Sequence, residues 1–379
     1  MFQRIASIAL ISLSLTGCGL WGGSDEVEPN KLVDFTAEKQ VAVKWSVDVG
    51  GDLGEKFHQM VPAISGDNIY TAVPDGVVSS FSLAGGKKNW QVDLETKLLA
   101  GAGAGVGKVV VTTESGVVIC LDAANGQELW RTQLASEVVS EPQLNEQLVV
   151  LQTVNSRVVA LDTMTGKRRW AYESTQPRLT LRGTSTPIVA LDVTLAAFDS
   201  GKFVAIDNDS GTALWEQSIT IPEGRSELER MTDVDGRPLL FENVIYVPSY
   251  QGQIVAINPF NAQTLWSKKA SSFHSLAAGF GNIYASESTA HVQAFDTRSA
   301  ASVWKQDQLE NRLISSPAVV SNSVVVGDYE GYVHFMSQID GHFIARYDVG
   351  GAVTGDMKVK DDVLYVLTDA GKLFALTLN

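Results

Sequence analysis

The sequence predicts an all-β protein: an eight-bladed β-propeller of four-stranded antiparallel blades, its ring closed by an N-terminal strand. Three observations lead there. Short Val-, Ile- and Tyr-rich segments bounded by Gly, Asp, Asn and Pro fill the chain, and no run keeps a sustained 3.6-residue apolar period. One turn recurs: "LDAANGQELW" ending at Trp130, "LDTMTGKRRW" at Trp170 and "IDNDSGTALW" at Trp215, each with Asp eight and Gly four residues before the Trp. The last repeat stops one strand short, and a matching strand stands near the other end of the chain.

The elements follow in chain order. Arg4 and the apolar run Ile5 to Leu15 read as a secretory signal, since 11 apolar residues fall short of the roughly 20 that span a bilayer. "LTGC" (Leu15 to Cys18) ends it. Small residues before a Cys resemble the lipobox of bacterial lipoproteins, which implies cleavage before Cys18 and lipidation of Cys18. Gly19 rather than Asp after it implies the outer membrane, with the protein on the periplasmic face. The segment from Gly19 to about Ala37 is Gly-rich, then acidic, and reads as a flexible tether. The expected division is therefore 1–17 signal, 18–38 lipidated Cys and tether, and 39–379 propeller.

Four units show the repeat clearly: Pro62 to Trp90, Pro142 to Trp170, Pro187 to Trp215 and Pro238 to Trp266. Trp residues at 90, 130, 170, 215, 266 and 304 end six units, at a spacing in the range of propeller blades. A seventh unit runs from Pro317 to Ala345, with Ala345 at the Trp place. Met357 to Asn379 supplies three strands, and "VAVKWSVDV" (Val41 to Val49) supplies the fourth, with Trp45 at its Trp place. Each unit parses as strands A to D, with tight turns such as "PDG", "ESG" and "DSG" between B and C. One blade alone leaves an apolar face and an unpaired edge, so blades must stack into a ring.

The repeated turn has a physical reading of its own. Asp and Thr or Ser can accept hydrogen bonds from turn backbone, and Gly supplies a left-handed position. Trp45, Trp90, Trp130, Trp170, Trp215, Trp266 and Trp304 are then structural, each filling a seam between blades. The pattern also resembles the tryptophan-docking repeat of the quinoprotein dehydrogenases, which are eight-bladed propellers. That resemblance raises a periplasmic pyrroloquinoline-quinone dehydrogenase or ligand-binding propeller as an alternative.

Chemistry is hard to find in the residues. The net charge of −14 argues against nucleic acid and against a basic face on anionic lipid. Cys18 and Cys120 are far apart, so neither the vicinal cysteines of quinoprotein sites nor a disulfide framework is present; Cys120 in "VVICL" reads as a small buried hydrophobe. His58, His274, His291, His334 and His342 lack zinc-ligand spacing. "GAGAGVG" (Gly101 to Gly107) opens a strand rather than a helix, a weak phosphate signal. No enzyme, cofactor or metal is expected.

Loop length points elsewhere. Trp170 to Pro187 is 17 residues and Trp215 to Pro238 is 23, against 12 from Trp130 to Pro142. These two long D-to-A connections are neighbours and share one face of the disc. The first carries Leu179, Leu181 and Arg182, and the second Glu227, Glu229, Asp233 and Asp235. Apolar anchors with Arg beside acidic groups suit a protein interface; two loops packing on each other is the alternative.

Lipobox, acidic tether, propeller, and the strings "LTLRG" and "ERMTDVDGRP" together resemble the BamB family, propeller lipoproteins of the β-barrel assembly machinery in Gram-negative outer membranes. The resemblance covers essentially the whole chain. It implies a non-catalytic scaffold that binds the POTRA domains of BamA through Leu179, Leu181, Arg182, Asp233 and Asp235. It also implies a role in assembly and insertion of outer-membrane proteins; transient pairing of exposed blade edges with extended client strands is an additional hypothesis.

Overall fold

The structure, a computed structural model, describes residues 28–54, 60–176, 184–220 and 233–379. Among these lie eight four-stranded antiparallel sheets. Seven use strands consecutive in sequence, at 63–93, 103–133, 143–173, 188–218, 239–269, 277–306 and 318–348; these are blades 1 to 7. Blade 8 takes three strands from 358–378 and its fourth from Val41–Asp48, which pairs antiparallel with Lys372–Leu378. Trp45 stands opposite Ala375 in that pair. Eight blades and N-terminal closure are as the sequence predicts.

The A strands lie at the axis, where most touch the A strand of a neighbouring blade, and the D strands lie at the rim. Strands B and C are the apolar interior: Val117–Asp122 and Lys202–Asp207 bury every residue but the two ends. Such strands are covered on both faces, so they need unbroken apolar runs rather than alternation. The core is accordingly not one central mass. It is eight clusters, one per seam, each built from two adjacent blades; Val110, Cys120, Val149 and Leu161 join blades 2 and 3, for example. Cys120 is wholly buried there, and burial pushes its thiol up to about 12, so it stays protonated.

The repeated turn locks these seams. Asp162 Oδ1 accepts from Thr165 N at 2.9 Å and from Thr165 Oγ1 at 2.8 Å, and Asp207 holds Ser210 in the same way. The Trp that follows reaches the preceding face of the next blade's turn. Its indole N–H donates to a carbonyl there in six blades: Trp45 to Leu83, Trp90 to Ala123, Trp130 to Thr163, Trp170 to Asn208, Trp266 to Thr297 and Trp304 to Gln338. For Trp215 the matching carbonyl would belong to Pro259, and the ring instead lies beside Phe203. Glycine suits the turn for two reasons, although Ala262 and Ala300 hold the same left-handed place in two blades at φ +58° and +57°. Gly211 has φ +71°, and a Cβ on it would lie 2.5 Å from Trp170 Cβ.

A bulge aims each Trp. Register between strands C and D shifts beside every Trp, and the residue opposite is small: Ser80, Cys120, Ala160, Ala205, Ala256, Ala294 and Ala375. Blade 7 inverts the pair, with Ala345 at the Trp place and Phe335 opposite, so volume is traded across the strands.

The axis is narrow. A Cβ on Gly101 would lie 2.4 Å from Val61 O, and one on Gly103 2.0 Å from Pro142 O. The Gly-rich run is therefore demanded by the approach of neighbouring backbones. Residues 30–40, within the stretch the sequence suggests as tether, lie along the outer edge of blade 7. Asn30 N donates to Glu310 O, Glu38 N donates to Ile344 O, and Phe35 packs on Phe343 with ring centres 5.6 Å apart. Buried Arg312 and half-buried Arg346 hold this strap: Arg312 Nη1 donates to Asn30 O at 2.8 Å and Arg346 Nη1 to Val33 O at 3.1 Å.

Candidate functional site

Antiparallel order assigns every connection to a face. The D-to-A loops and the B–C turns lie on one face, called here the loop face, and the A–B and C–D turns lie on the other. Both long loops found in the sequence are D-to-A connections, so both belong to the loop face. Leu179, Leu181 and Arg182 lie outside the described residues, as does Cys18. Asp233 and Asp235 are described, at the inner end of the second long loop, where the chain turns down into the A strand of blade 5.

Asp233 is fully buried, and Asp235 lines the central cavity of the loop face. A third carboxylate joins them from the B–C turn of blade 4: Asp199, 5% exposed. Burial, and then the charge of Asp233, pushes Asp199 up to about 7. Burial, followed by Asp233 and Asp199, pushes Asp235 well above the usual carboxylate range. The three acids thus form one electrostatic unit across the seam of blades 4 and 5, in which burial and mutual repulsion favour the protonated forms of Asp199 and Asp235. Spacing in the sequence showed Asp233 and Asp235 together but not Asp199, which is 34 residues before Asp233 in a turn of ordinary type.

A pH dependence follows. Asp199 keeps its proton in the folded protein up to about 7, against 3.8 ordinarily. Its contribution to stability is therefore full below the ordinary value and is lost as pH rises through about 7. Asp199→Asn should raise the unfolding temperature at pH 8, by no more than about 4 kcal/mol in free energy. The gain should shrink as pH falls from about 7 toward 4. A gain that is the same at pH 4 and pH 8 in thermal melts would refute the assignment.

The centre of the loop face is a cavity of about 390 Å³. Its lining includes Glu141, Arg237 and Ser316, each standing directly before the Pro that opens an A strand. Residues at that place point to the axis, and here the blades differ in charge. Lys358 Nζ pairs with Glu141 Oε1 at 2.9 Å, and Arg237 Nη2 donates to Gln143 Oε1 at 3.1 Å. Ser275 Oγ donates to Asp356 Oδ2 at 2.8 Å. These bonds cross the axis between blades far apart in sequence. The position before the Pro is the signal that could have found them. No group of three or more His, Cys, Asp or Glu side chains among the described residues has the geometry to hold a metal ion.

The family model described as "Outer membrane protein assembly factor BamB" matches residues 74–306 and 288–379. The chain is 50% identical over 375 residues to the outer membrane protein assembly factor BamB of Pseudomonas aeruginosa, covering 99% of this chain and 98% of that one. It is 39% identical over 384 residues to the BamB of Legionella pneumophila, covering 100% of both. Among solved structures, BamB from Moraxella catarrhalis superposes with a TM-score of 0.83 at 25% identity, covering 89% of this chain and 100% of that one. A quinohemoprotein alcohol dehydrogenase from Comamonas testosteroni gives a TM-score of 0.68 at 13% identity over 89% of this chain and 76% of that one, a likeness of fold alone.

Proposed function

Since the chain belongs to the BamB family of outer membrane protein assembly factors, we propose that its loop face docks the POTRA domains of BamA, with Cys18 carrying the lipid that anchors it to the outer membrane. Membership makes it a non-catalytic component of the barrel-assembly complex. The observation that carries the docking reading is the buried acidic unit of Asp199, Asp233 and Asp235 at the root of the longer loop. Carboxylates buried this deeply hold their loop in one position and favour a cationic partner. Leu179, Leu181 and Arg182, in the neighbouring D-to-A connection, supply the apolar anchors and the guanidinium of the proposed interface.

The anchor agrees with this orientation. The strap over blade 7 begins at Asn30 beside Glu310, in a D-to-A loop, so the chain leaves the propeller at the loop-face rim. The 12 residues from Cys18 to Asn30 reach at most about 40 Å when extended. Lipid and partner would then lie toward the same side of the disc.

The test is co-purification from solubilised membranes. Leu179→Asp with Leu181→Asp, or Arg182→Glu, should reduce recovered BamA at least about tenfold, as loss of an interface hot spot does. The unfolding temperature should stay where it was. Undiminished recovery of BamA would move the interface away from these loops.

A further inference from the structure

The cavity at the centre of the loop face has a floor, a wall and a rim of different chemistry. Its floor is the Lys358–Glu141 pair and Arg237, which is held by Gln143. Glu141 and Arg237 also line the space between the inner strands beneath, so they separate the cavity from it. The wall holds half-buried Asp235, whose enclosed Oδ1 has no hydrogen-bond partner. It also holds Asp356, restrained by Ser275 through Oδ2. The nearby imidazole of His274 supplies no positive charge at neutral pH, because burial pushes it down to about 4.

The rim is apolar and open. Phe273 is 38% exposed and Leu313 is 55% exposed, on successive D-to-A loops at blades 6 and 7. Leu313 sits at φ +49°, a left-handed conformation that a bulky side chain rarely adopts. Packing against the propeller does not reward that strain, since most of the side chain faces solvent. Strain held in an exposed side chain at the mouth of a cavity is characteristic of a binding surface. The cavity's volume falls in the range of ligand pockets, and Asp235, whose Oδ1 has no partner and whose charged form burial disfavours, would regain that charged form beside a cationic group.

We propose that this cavity binds the basic side chain of an extended polypeptide. The guanidinium or ammonium group enters toward Asp235 and Asp356, and an adjacent apolar residue rests on Phe273 and Leu313. A polypeptide is favoured over a free cation because the apolar rim lies outside the cavity, where only a chain continuing past the charged group would cover it. The net charge of −14 favours approach of a basic segment at long range. The site extends toward blades 6 to 8 and shares Asp235 with the surface proposed for BamA, so variants at Asp356 and Leu313, outside that surface, are the ones that test it separately.

Fluorescence polarisation with the detergent-solubilised full chain tests it. The probe is a labelled, end-capped peptide with one arginine between two leucines, compared with the same peptide carrying neutral citrulline in place of arginine. The arginine peptide should bind at least about tenfold more tightly, as a charge-assisted bond to a buried carboxylate requires. Asp356→Asn and Leu313→Ser should each weaken it by about fivefold or more at unchanged unfolding temperature. The Leu179→Asp, Leu181→Asp variant, which tests the BamA surface, should bind the peptide normally. Equal binding of both peptides overturns the proposal. So does arginine amide alone binding as tightly as the peptide, and so does binding lost in the Leu179→Asp, Leu181→Asp variant but kept in the other two.

Discussion

Replacing Trp170 with Ala should lower the unfolding free energy by about 3–5 kcal/mol, seen as a lower urea midpoint. Trp170 is 7% exposed, donates to Asn208 O at 2.7 Å, and presses its side chain onto Gly211 of the next blade. Truncation empties the seam, leaves that carbonyl without its donor, and exposes the facing side of blade 4, where Phe198 and Ile206 belong to the same cluster. Rigid neighbouring strands cannot collapse into the space, which is why the cavity cost should be large. Trp215→Ala should cost distinctly less. That ring is only half-buried, its indole N–H does not donate to the carbonyl of Pro259 as the other tryptophans do to theirs, and Ala262 replaces the turn Gly in the adjoining blade. Equal costs at the two positions would show that the carbonyl bond and the Gly contact contribute little.

Asp328→Ala should be comparably damaging, about 3–5 kcal/mol, because it strands buried positive charge. Asp328 is fully buried, and its Oδ2 accepts from Arg312 Nε and His334 Nε2, both at 2.8 Å. Arg346 Nε donates to His334 Nδ1 at 3.1 Å, which fixes the imidazole as the tautomer with its proton on Nε2. Burial alone would raise the Asp328 carboxyl, but the bonds from His334 and Arg312 outweigh it and hold the carboxyl below its ordinary value. Burial holds His334 below its ordinary value, so the folded protein refuses a proton that the unfolded chain takes near 6.5. Both shifts make this cluster lose stability on acidification, first below about 6.5 and then as Asp328 itself protonates. Arg312 and Arg346 also hold the strap, so the Asp328→Ala protein should be cleaved by trypsin at Lys31 or Lys39 faster than the unaltered protein. A variant with unchanged midpoint and unchanged cleavage would show the cluster to be dispensable.

The blades were legible in the sequence because everything that makes them is local. Strand, turn, Asp bond, Gly conformation and Trp all lie within a stretch of ten residues, and the copies confirm one another. Ring closure was legible because a spare D strand and a missing one have the same pattern. What stayed hidden depends on partners distant in the chain. The exchange of Trp and small residue for Ala345 and Phe335 shows only once the register of strands C and D is known. Lys358 and Glu141 are 217 residues apart, and nothing in either neighbourhood announces the pair. Asp199 looked like any turn Asp until the fold placed it near Asp233. The strap was hidden for the same reason, since its acidic and apolar residues gain meaning only against the arginines of blade 7.

The closing strand also sets a clock. Val41–Asp48 is made before every other blade strand, whereas its partner Lys372–Leu378 is made after all of them. Until then Trp45 has no Ala375 to face and the growing disc has two raw ends, each able to recruit a foreign strand. Pairing across nearly the full chain is the slowest kind of contact to form. The propeller is thus sealed only after its last strand has been made, and until then the partly assembled blades stay open to foreign strands.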